Sequence, residues 1–395
     1  MADDDDTLTL FANSQELTGW TASRVTTSLE RTPRDFLIEL TDRNPLNPGL
    51  LDVQAGMSCT VNIGSDPVIA GWIDRVNLSV GRSNHAIRII GRSKCSDLVD
   101  CSVTPDVLVG GQIFTGSIFD LANRLCAPFK IPVSIAPGVN PALNGPGGSP
   151  LKVNAVLTET GWEILERVAR WLGVLIYDMP DGSLMIANVG TSTMASGFTQ
   201  GDNVEAASVT YSMDERFSVY LPSLMSTVFF GQAGLGGMPL TPAHDYGVTR
   251  PRPLVIVSEQ FTPGAGGGKP QPFAETRAQW EMARRIGRSQ AVTLTAKGWR
   301  DTNQTLWTQN AFAPVSLPAL KQTDPNPWII GSVSFIKDAG RGTVSDVMLM
   351  PKAAFQPGPI NLVPFLNDPT TGRPAGGATA SGPSGRTQSN DGPGL

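Results

Sequence analysis

The sequence predicts a mainly β protein with α+β insertions, built on one antiparallel β-barrel pattern used twice. Three observations predict it. Short runs with apolar side chains two apart dominate both ends of the folded region, the period that buries one face of a strand. With 42 glycines and 32 prolines among 395 residues, turns are too frequent for a helical bundle. Residues 66–76 recur without gaps at 326–336.

In the first hundred residues, strands are marked by Leu8 and Leu10, by Phe36, Ile38 and Leu40, and by Cys59, Val61 and Ile63. Val76, Leu78 and Val80 lead through a Gly81-Arg82-Ser83-Asn84 turn to a strand with Ile87 and Ile89. The period changes over 115–175. Ile118, Leu121, Ala122 and Leu125 form a helical stripe capped at Thr115 or Ser117. Thr160 and Glu163 have the capping-box spacing and open a helix carrying Ile164, Leu165, Val168, Trp171 and Leu172, which stops at Gly173. Val174 to Tyr177 and Leu184 to Ala187 read as a hairpin about Asp181-Gly182, and 137–150 as an exposed loop. Strands are predicted again at 204–211, 216–230, 253–260, 291–298, 328–336 and 343–350. A helix near 273–290 interrupts them, with Phe273, Thr276, Trp280, Ala283 and Gly287 on one face. The segment 367–395 reads as a mobile tail or an arm that orders on a partner.

In the repeat, Pro67, Ile69, Gly71, Ile73 and Val76 align on Pro327, Ile329, Gly331, Val333 and Ile336. Each copy is followed by a Gly-Arg turn, Gly81-Arg82 or Gly340-Arg341, and flanked by alternating strands. Any proline-started hairpin could give such a match; the preferred reading is one barrel fold used twice. The predicted parts are a first barrel at 7–98, an α+β region at 99–203, a second barrel at 204–350 with the inserted helix, and a tail at 351–395.

Composition narrows the function. A net charge of −5 gives no basis for nonspecific nucleic-acid binding. Charged residues are only 16% of the chain, against about 25% in ordinary domains, so the surface must rely on Ser, Thr, Asn and Gln or be covered by partner subunits. Cys59, Cys95, Cys101 and Cys126 fit no zinc-ribbon spacing and read as buried reduced thiols. The acidic N-terminus, Asp3 to Asp6, lacks the flank and apolar stretch of a signal peptide, so a soluble protein made in a reducing cytoplasm is expected.

Candidate chemistry is weak. Gly264 to Lys269 follows a strand and precedes a helix, as a phosphate loop would. Pro263 replaces the first glycine and Pro270 the Mg²⁺-binding hydroxyl, so a nucleotide site is rejected in favour of a flexible loop. His85 shares a strand with Ile87 and Ile89, and His244 beside Asp245 is read as a surface hydrogen bond rather than a dyad. Glu159, Glu163 and Glu166 share a helical face, but Arg167 and Arg170 four residues beyond the last two suggest a solvated face. Arg284, Arg285 and Arg288, with Lys297 and Arg300 beyond, form the densest basic cluster, which reads either as a solvated helix end favoured by the C-terminal dipole or as a docking site; for the latter an acidic protein surface suits better than DNA.

These stretches together resemble the baseplate hub proteins of contractile-tailed phages, the Mu-like type above all. The late-control D family and the hub part of type VI secretion spikes are more distant resemblances. The resemblance rests on Ala70 to Val76 running into Gly91 to Ser102, on Gly161 to Ala187, and on Asp214 to Tyr220. It continues through the 273–290 helix into Lys297-Gly298-Trp299 and Leu306-Trp307. It implies two tail-tube-like barrels per chain, with the helix and hairpin part between them, in a homotrimeric ring. That ring would join a threefold spike to a sixfold tail tube, contact other baseplate proteins, and let DNA through its lumen without specific binding. It implies a virion component with no cofactor and no catalytic residue. Gly71, Trp72 and Gly331, with the three arginines, are the candidate interface residues, and Gly71→Asp or Gly331→Asp is expected to block assembly. A hub with peptidoglycan hydrolase activity, or the hub of a tailocin or type VI-like machine, are the alternatives.

Overall fold

The computed structural model describes residues 6–355 except 14, 42–52, 82–84, 105–106, 108–112, 141–149, 156–157, 226–236, 240, 259–270 and 323–326. The Gly264–Lys269 loop and the 367–395 tail lie outside the described residues. Seven strands come first: β1 (Leu8–Ala12), β2 (Gln15–Leu17), β3 (Ala22–Ser28), β4 (Asp35–Thr41), β5 (Ser58–Ile63), β6 (Asp66–Val80) and β7 (His85–Ser93). They pair in the order β3-β4-β7-β6-β5-β1-β2, every pair antiparallel. Alternation sets burial. Along β5, Cys59, Val61 and Ile63 are buried, while Ser58 is exposed and Thr60 and Asn62 are half-buried.

A smaller α/β segment follows: α1 (Ser96–Asp100), β8 (Ile113–Gly116), α2 (Ile118–Cys126), β9 (Val133–Ile135), β10 (Leu151–Asn154), α3 (Gly161–Leu172), β11 (Leu175–Asp178) and β12 (Leu184–Ala187). Ser117 and Asp120 exchange backbone hydrogen bonds at the start of α2. Thr160 and Glu163 do the same for α3, satisfying two amides that helix geometry leaves unpaired. Gly173 ends α3 at φ 71°, a left-handed position suited to glycine. Leu121, Leu125, Ile164, Leu165, Leu184 and Ile186 share one core.

The rest of the chain supplies β13 (Ser192–Thr193), β14 (Phe198–Thr199), β15 (Val204–Tyr211), β16 (Val219–Met225), β17 (Gly237–Pro239), β18 (Ala243–His244) and β19 (Pro253–Ser258). Then come α4 (Gln271–Arg288), β20 (Gln290–Lys297), β21 (Ala311–Ala313), β22 (Val315–Ser316), β23 (Trp328–Asp338), β24 (Gly342–Met350) and α5 (Lys352–Phe355). Two features depart from the sequence reading. First, the strands of both halves belong to one 13-stranded sheet, in the order β15-β20-β24-β23-β3-β4-β7-β6-β5-β1-β2, with β21 on β23 and β13 on β21. Among the described strands no ladder closes either half on itself, because the edge of β23 is taken by β3. Second, β16 and β19, expected in the second barrel, form a separate four-stranded sheet in which they run parallel. Their inward side chains Tyr220, Leu254 and Ile256 pack with Ala278 and Met282 of α4, which draws them away from the main sheet.

A buried ion pair ties the α/β segment to the sheet. Asp178, at the end of β11, is wholly buried, and Arg34 is 6% exposed. The Arg34 N–H donates to Asp178 Oδ2 at 2.8 Å, its Nε and Nη2 donate to the Asp178 carbonyl, and its Nη1 reaches the Val68 carbonyl at 3.4 Å. The Ser93 hydroxyl donates to the same carboxylate, and Gln309 Nε2 to the same carbonyl. Burial lowers the Arg34 pKa and Asp178 opposes that shift. Breaking such a pair strands a buried charge. Asp178→Ala is therefore expected to lower the unfolding free energy by about 3–5 kcal/mol in urea titration; a loss under about 1 kcal/mol would contradict this role.

Candidate assembly interface

The joint between the halves is a full antiparallel ladder. Ser332 to Asp338 of β23 pair with Ser28 to Ala22 of β3. Thr26 Oγ1 lies 3.1 Å from Ser334 Oγ, and the Leu29 N–H donates to the Gly331 carbonyl at 2.8 Å. The register shows what is joined. Ile73 pairs with Gly91, Gly91 with Phe36, and Phe36 with Val25. In the second half Val333 pairs with Val347, Val347 with Leu294, and Leu294 with Ala207. Since Ile73 and Val333 are matched residues of the sequence repeat, β6, β7, β4 and β3 correspond to β23, β24, β20 and β15.

This correspondence exposes two edges. β15 pairs with β20 alone among the described strands. On β6 the partner β5 ends at Ser58, opposite Trp72, and the last backbone bonds run from the Ile73 N–H to the Met57 carbonyl and from the Gly56 N–H to the Ile73 carbonyl. From Asp74 to Val80 that edge has no described partner, and Leu78 and Val80 are 66% and 82% exposed. An open edge of unpaired N–H and C=O groups is a template for another strand.

Gly71 and Trp72 sit on β6 just before this open stretch and line a cleft of about 330 Å³ with Phe11 and Lys94. Gly331 occupies the matching place on β23, at a register shift between Ile330 and Ser332. Both positions are crowded within the chain, for different reasons. A Cβ on Gly71 would lie 1.9 Å from the Arg92 carbonyl oxygen, whereas one on Gly331 would meet the Phe355 ring at 2.7 Å and the Met348 methyl at 3.1 Å. Substitutions there disturb the fold before they test assembly.

The arginine cluster meets carboxylates of its own chain. Arg284 Nη2 lies 3.2 Å from Glu30 Oε1 and its guanidinium 5.0 Å above the Trp280 ring. Arg288 binds the same Glu30, and Arg285 donates to Glu281 at 2.7 Å and to the Glu215 carbonyl at 3.0 Å. Burial lowers the Arg284 pKa. Arg284 and Arg288 therefore fasten α4 to the connection after β3, Arg285 ties it to the segment before β16, and the three do not gather at the open edges. Among the carboxylates, Glu163 caps α3, Glu159 pairs with Arg167, and Glu166 lies 3.5 Å from Arg170. Asp245 accepts from Arg216 at 2.8 and 2.9 Å, while His244 stacks on Tyr246. Cys59, Cys95 and Cys126 are buried and Cys101 is exposed; burial pushes the Cys59 and Cys126 thiols up to about 12. Among the described residues no group of three or more His, Cys, Asp or Glu is placed to hold a metal ion.

Sequence reasoning missed the β23–β3 joint and the Arg34–Asp178 pair. The repeat pointed towards the joint, but a backbone ladder leaves no residue signature, and the ion pair spans 144 positions. The contrast between the glycines is testable. Gly71→Ala, pressed against backbone, is expected to cost more than about 2 kcal/mol, and Gly331→Ala less, because its neighbours are side-chain ends, the Phe355 ring edge and the Met348 methyl, that can shift. Equal costs in thermal or urea unfolding would contradict the contrast.

Three family models match in succession: "Mu phage baseplate assembly protein GpP-like, N-terminal" over residues 7–93, "Baseplate hub protein gp44-like, second domain" over 95–188, and "Mu phage baseplate assembly protein GpP, fourth domain" over 271–358. The baseplate hub protein gp44 of Escherichia phage Mu is 27% identical over 374 residues, covering 92% of this chain and 90% of that protein. The 43 kDa tail protein of prophage MuSo2 from Shewanella oneidensis superposes with a TM-score of 0.74 at 29% identity, over 88% of this chain and 99% of that one. A tail protein from Neisseria meningitidis MC58 shares the fold, with a TM-score of 0.72 at 19% identity over 89% and 98% of the two chains. The order of the matched domains, the alignment with gp44 over most of both chains and the common fold make the chain similar, along most of its length, to the Mu-like baseplate hub proteins of phage tails.

Proposed function

We propose that the chain is the central structural hub of a contractile-tail baseplate, a non-enzymatic protein that acts by its geometry. Three copies close into a ring, and each contributes two like β halves. Six quasi-equivalent halves then match a threefold spike on one side to a sixfold tail tube on the other. On this reading 7–98 and 204–350 are the tube-like parts, 99–203 braces the ring or meets the spike, and 351–395 is an arm. The ring is built in the host cytoplasm, nucleates tube and baseplate, and lets DNA leave through its lumen without specific binding.

The observation that carries this reading is the β23–β3 joint. The same joint can form between copies, because β15 corresponds to β3 and β6 to β23. Counting through the extra residue at Asp74, Ala206 of one copy falls opposite Asn77 of the next, as Arg24 falls opposite Ile336 within the chain. The path from β15 to β6 contains eight strands. Three copies give twenty-four, and at a spacing near 4.8 Å the closed sheet is about 115 Å round and about 37 Å across between backbones. Such an opening suits a DNA duplex. The low share of charged residues, 16%, accords with surfaces covered by neighbours.

The test is solution mass together with a cysteine pair, in a Cys101→Ser background. Light scattering is expected to give three times the 41.9 kDa chain mass, about 126 kDa, alone or with the spike protein added. Ala206→Cys combined with Asn77→Cys is expected to yield disulfide-linked dimers and trimers that neither single variant yields. A monomer in the presence of spike and tube proteins, or a trimer that never cross-links, would overturn the reading.

A further inference from the structure

A cleft of about 70 Å³ lies where α3, β11 and α4 meet, bounded also by Phe355 and the connection after β3. Trp162 and Leu175 give it apolar walls, and Arg170, Trp280 and Arg284 bring hydrogen-bond donors to it. Trp280 is 6% exposed, yet among the described residues its indole N–H has no acceptor. A buried donor left unpaired is costly, so a group with a lone pair belongs beside it. The charges are also uneven. Arg170, Arg284 and Arg288 stand against Glu30 and Glu166, one cation in excess. Arg170 meets Glu166 only at 3.5 Å, with the two side chains 43% and 46% exposed, a pairing worth little. Burial holds the Arg284 pKa down, Arg288 and Arg170 push it the same way, and Glu30 and Glu281 oppose them. An added anion would relieve that deficit.

We propose that this cleft receives the carboxylate of a glutamate or aspartate carried by a segment of a partner protein. The Trp280 N–H and the Arg170 and Arg284 guanidiniums are its donors, and Trp162 and Leu175 pack on the segment's apolar atoms. Charge and size select this ligand. One surplus cation calls for one negative charge, whereas a phosphate dianion would crowd Glu30 and Glu166. Sites for whole nucleotides or sugars take roughly 300 Å³ or more, several times this volume. A free acid small enough to enter has few atoms to bind with. A segment anchored elsewhere on the molecule instead presents its carboxylate at high local concentration. None of these residues lies on β6 or β15, so the assignment stands whether or not the ring forms.

The full chain, labelled with fluorotryptophan, reports on the cleft by fluorine NMR. The Trp280 resonance is assigned with Trp280→Phe; the Trp162 resonance, assigned with Trp162→Phe, serves if that variant folds poorly. The probe is the capped peptide acetyl-Leu-Glu-Leu-amide, compared with acetyl-Leu-Gln-Leu-amide and with sodium acetate at equal ionic strength. The Glu peptide is expected to shift the resonance saturably in the millimolar range. It is expected to bind about tenfold more tightly than the Gln peptide or acetate, and Arg170→Gln, a change at an exposed side chain, to weaken it about tenfold. No saturable shift, equal binding of the Gln peptide, or an Arg170→Gln chain that binds like the parent would overturn the site and leave a crevice for water. Equal binding of acetate would overturn the protein segment as its ligand.

Discussion

Every strand at the margin of a sheet has to dispose of a row of unpaired backbone donors and acceptors, and the architecture of this chain follows from how two such margins are treated. β3 and β23 end their respective halves. By pairing with each other they fuse the halves into one sheet and remove one pair of open edges. Among the described residues the corresponding strands, β15 and the later part of β6, remain open. On the proposed ring reading, the joint that the chain makes once internally is made again between copies, and rotation by a third of a turn closes it.

The rest of the molecule makes that sheet rigid enough to be copied. The α/β segment is pinned by Asp178, whose carboxylate and carbonyl receive groups from the connection before β4, the end of β7 and the loop before β21. Arg300 adds a second clasp, donating to Asp66 and to the Ile63 carbonyl, so the second half grips the β5–β6 turn of the first. Glu30, shared by Arg284 and Arg288, fixes α4 to the chain just beyond β3. Charges that read from the sequence as a docking patch are paired within the chain. That fits a protein whose function is to hold a fixed shape.

Much of this was legible in the residues, and the limits were physical. Alternation located the strands around Phe36, Val61 and Ile87, because a side-chain period of two depends on local sequence alone. The helix starts at Ser117 and Thr160 were readable because a cap needs particular side chains at particular spacings. The Gly71–Gly331 repeat identified the two halves. What could not be read was how the halves meet, since backbone hydrogen bonds between β3 and β23 ask nothing specific of their side chains. The removal of β16 and β19 into a separate sheet was equally hidden, because Tyr220, Leu254 and Ile256 alternate as any strand's residues do and only α4 decides where they go. Of the interface candidates, Gly71 and Trp72 lie beside the open edge, whereas the arginines lie at α4.

The central claim is that β15 of one copy completes β6 of the next. Amide hydrogen exchange on the trimer, compared with dilute monomer, reads that joint directly. The account predicts that amides of 204–208 and 75–79 gain protection together on assembly, to the level already present in β3 and β23 of the monomer. A ring of trimeric mass in which both segments still exchange as open edges would contradict it.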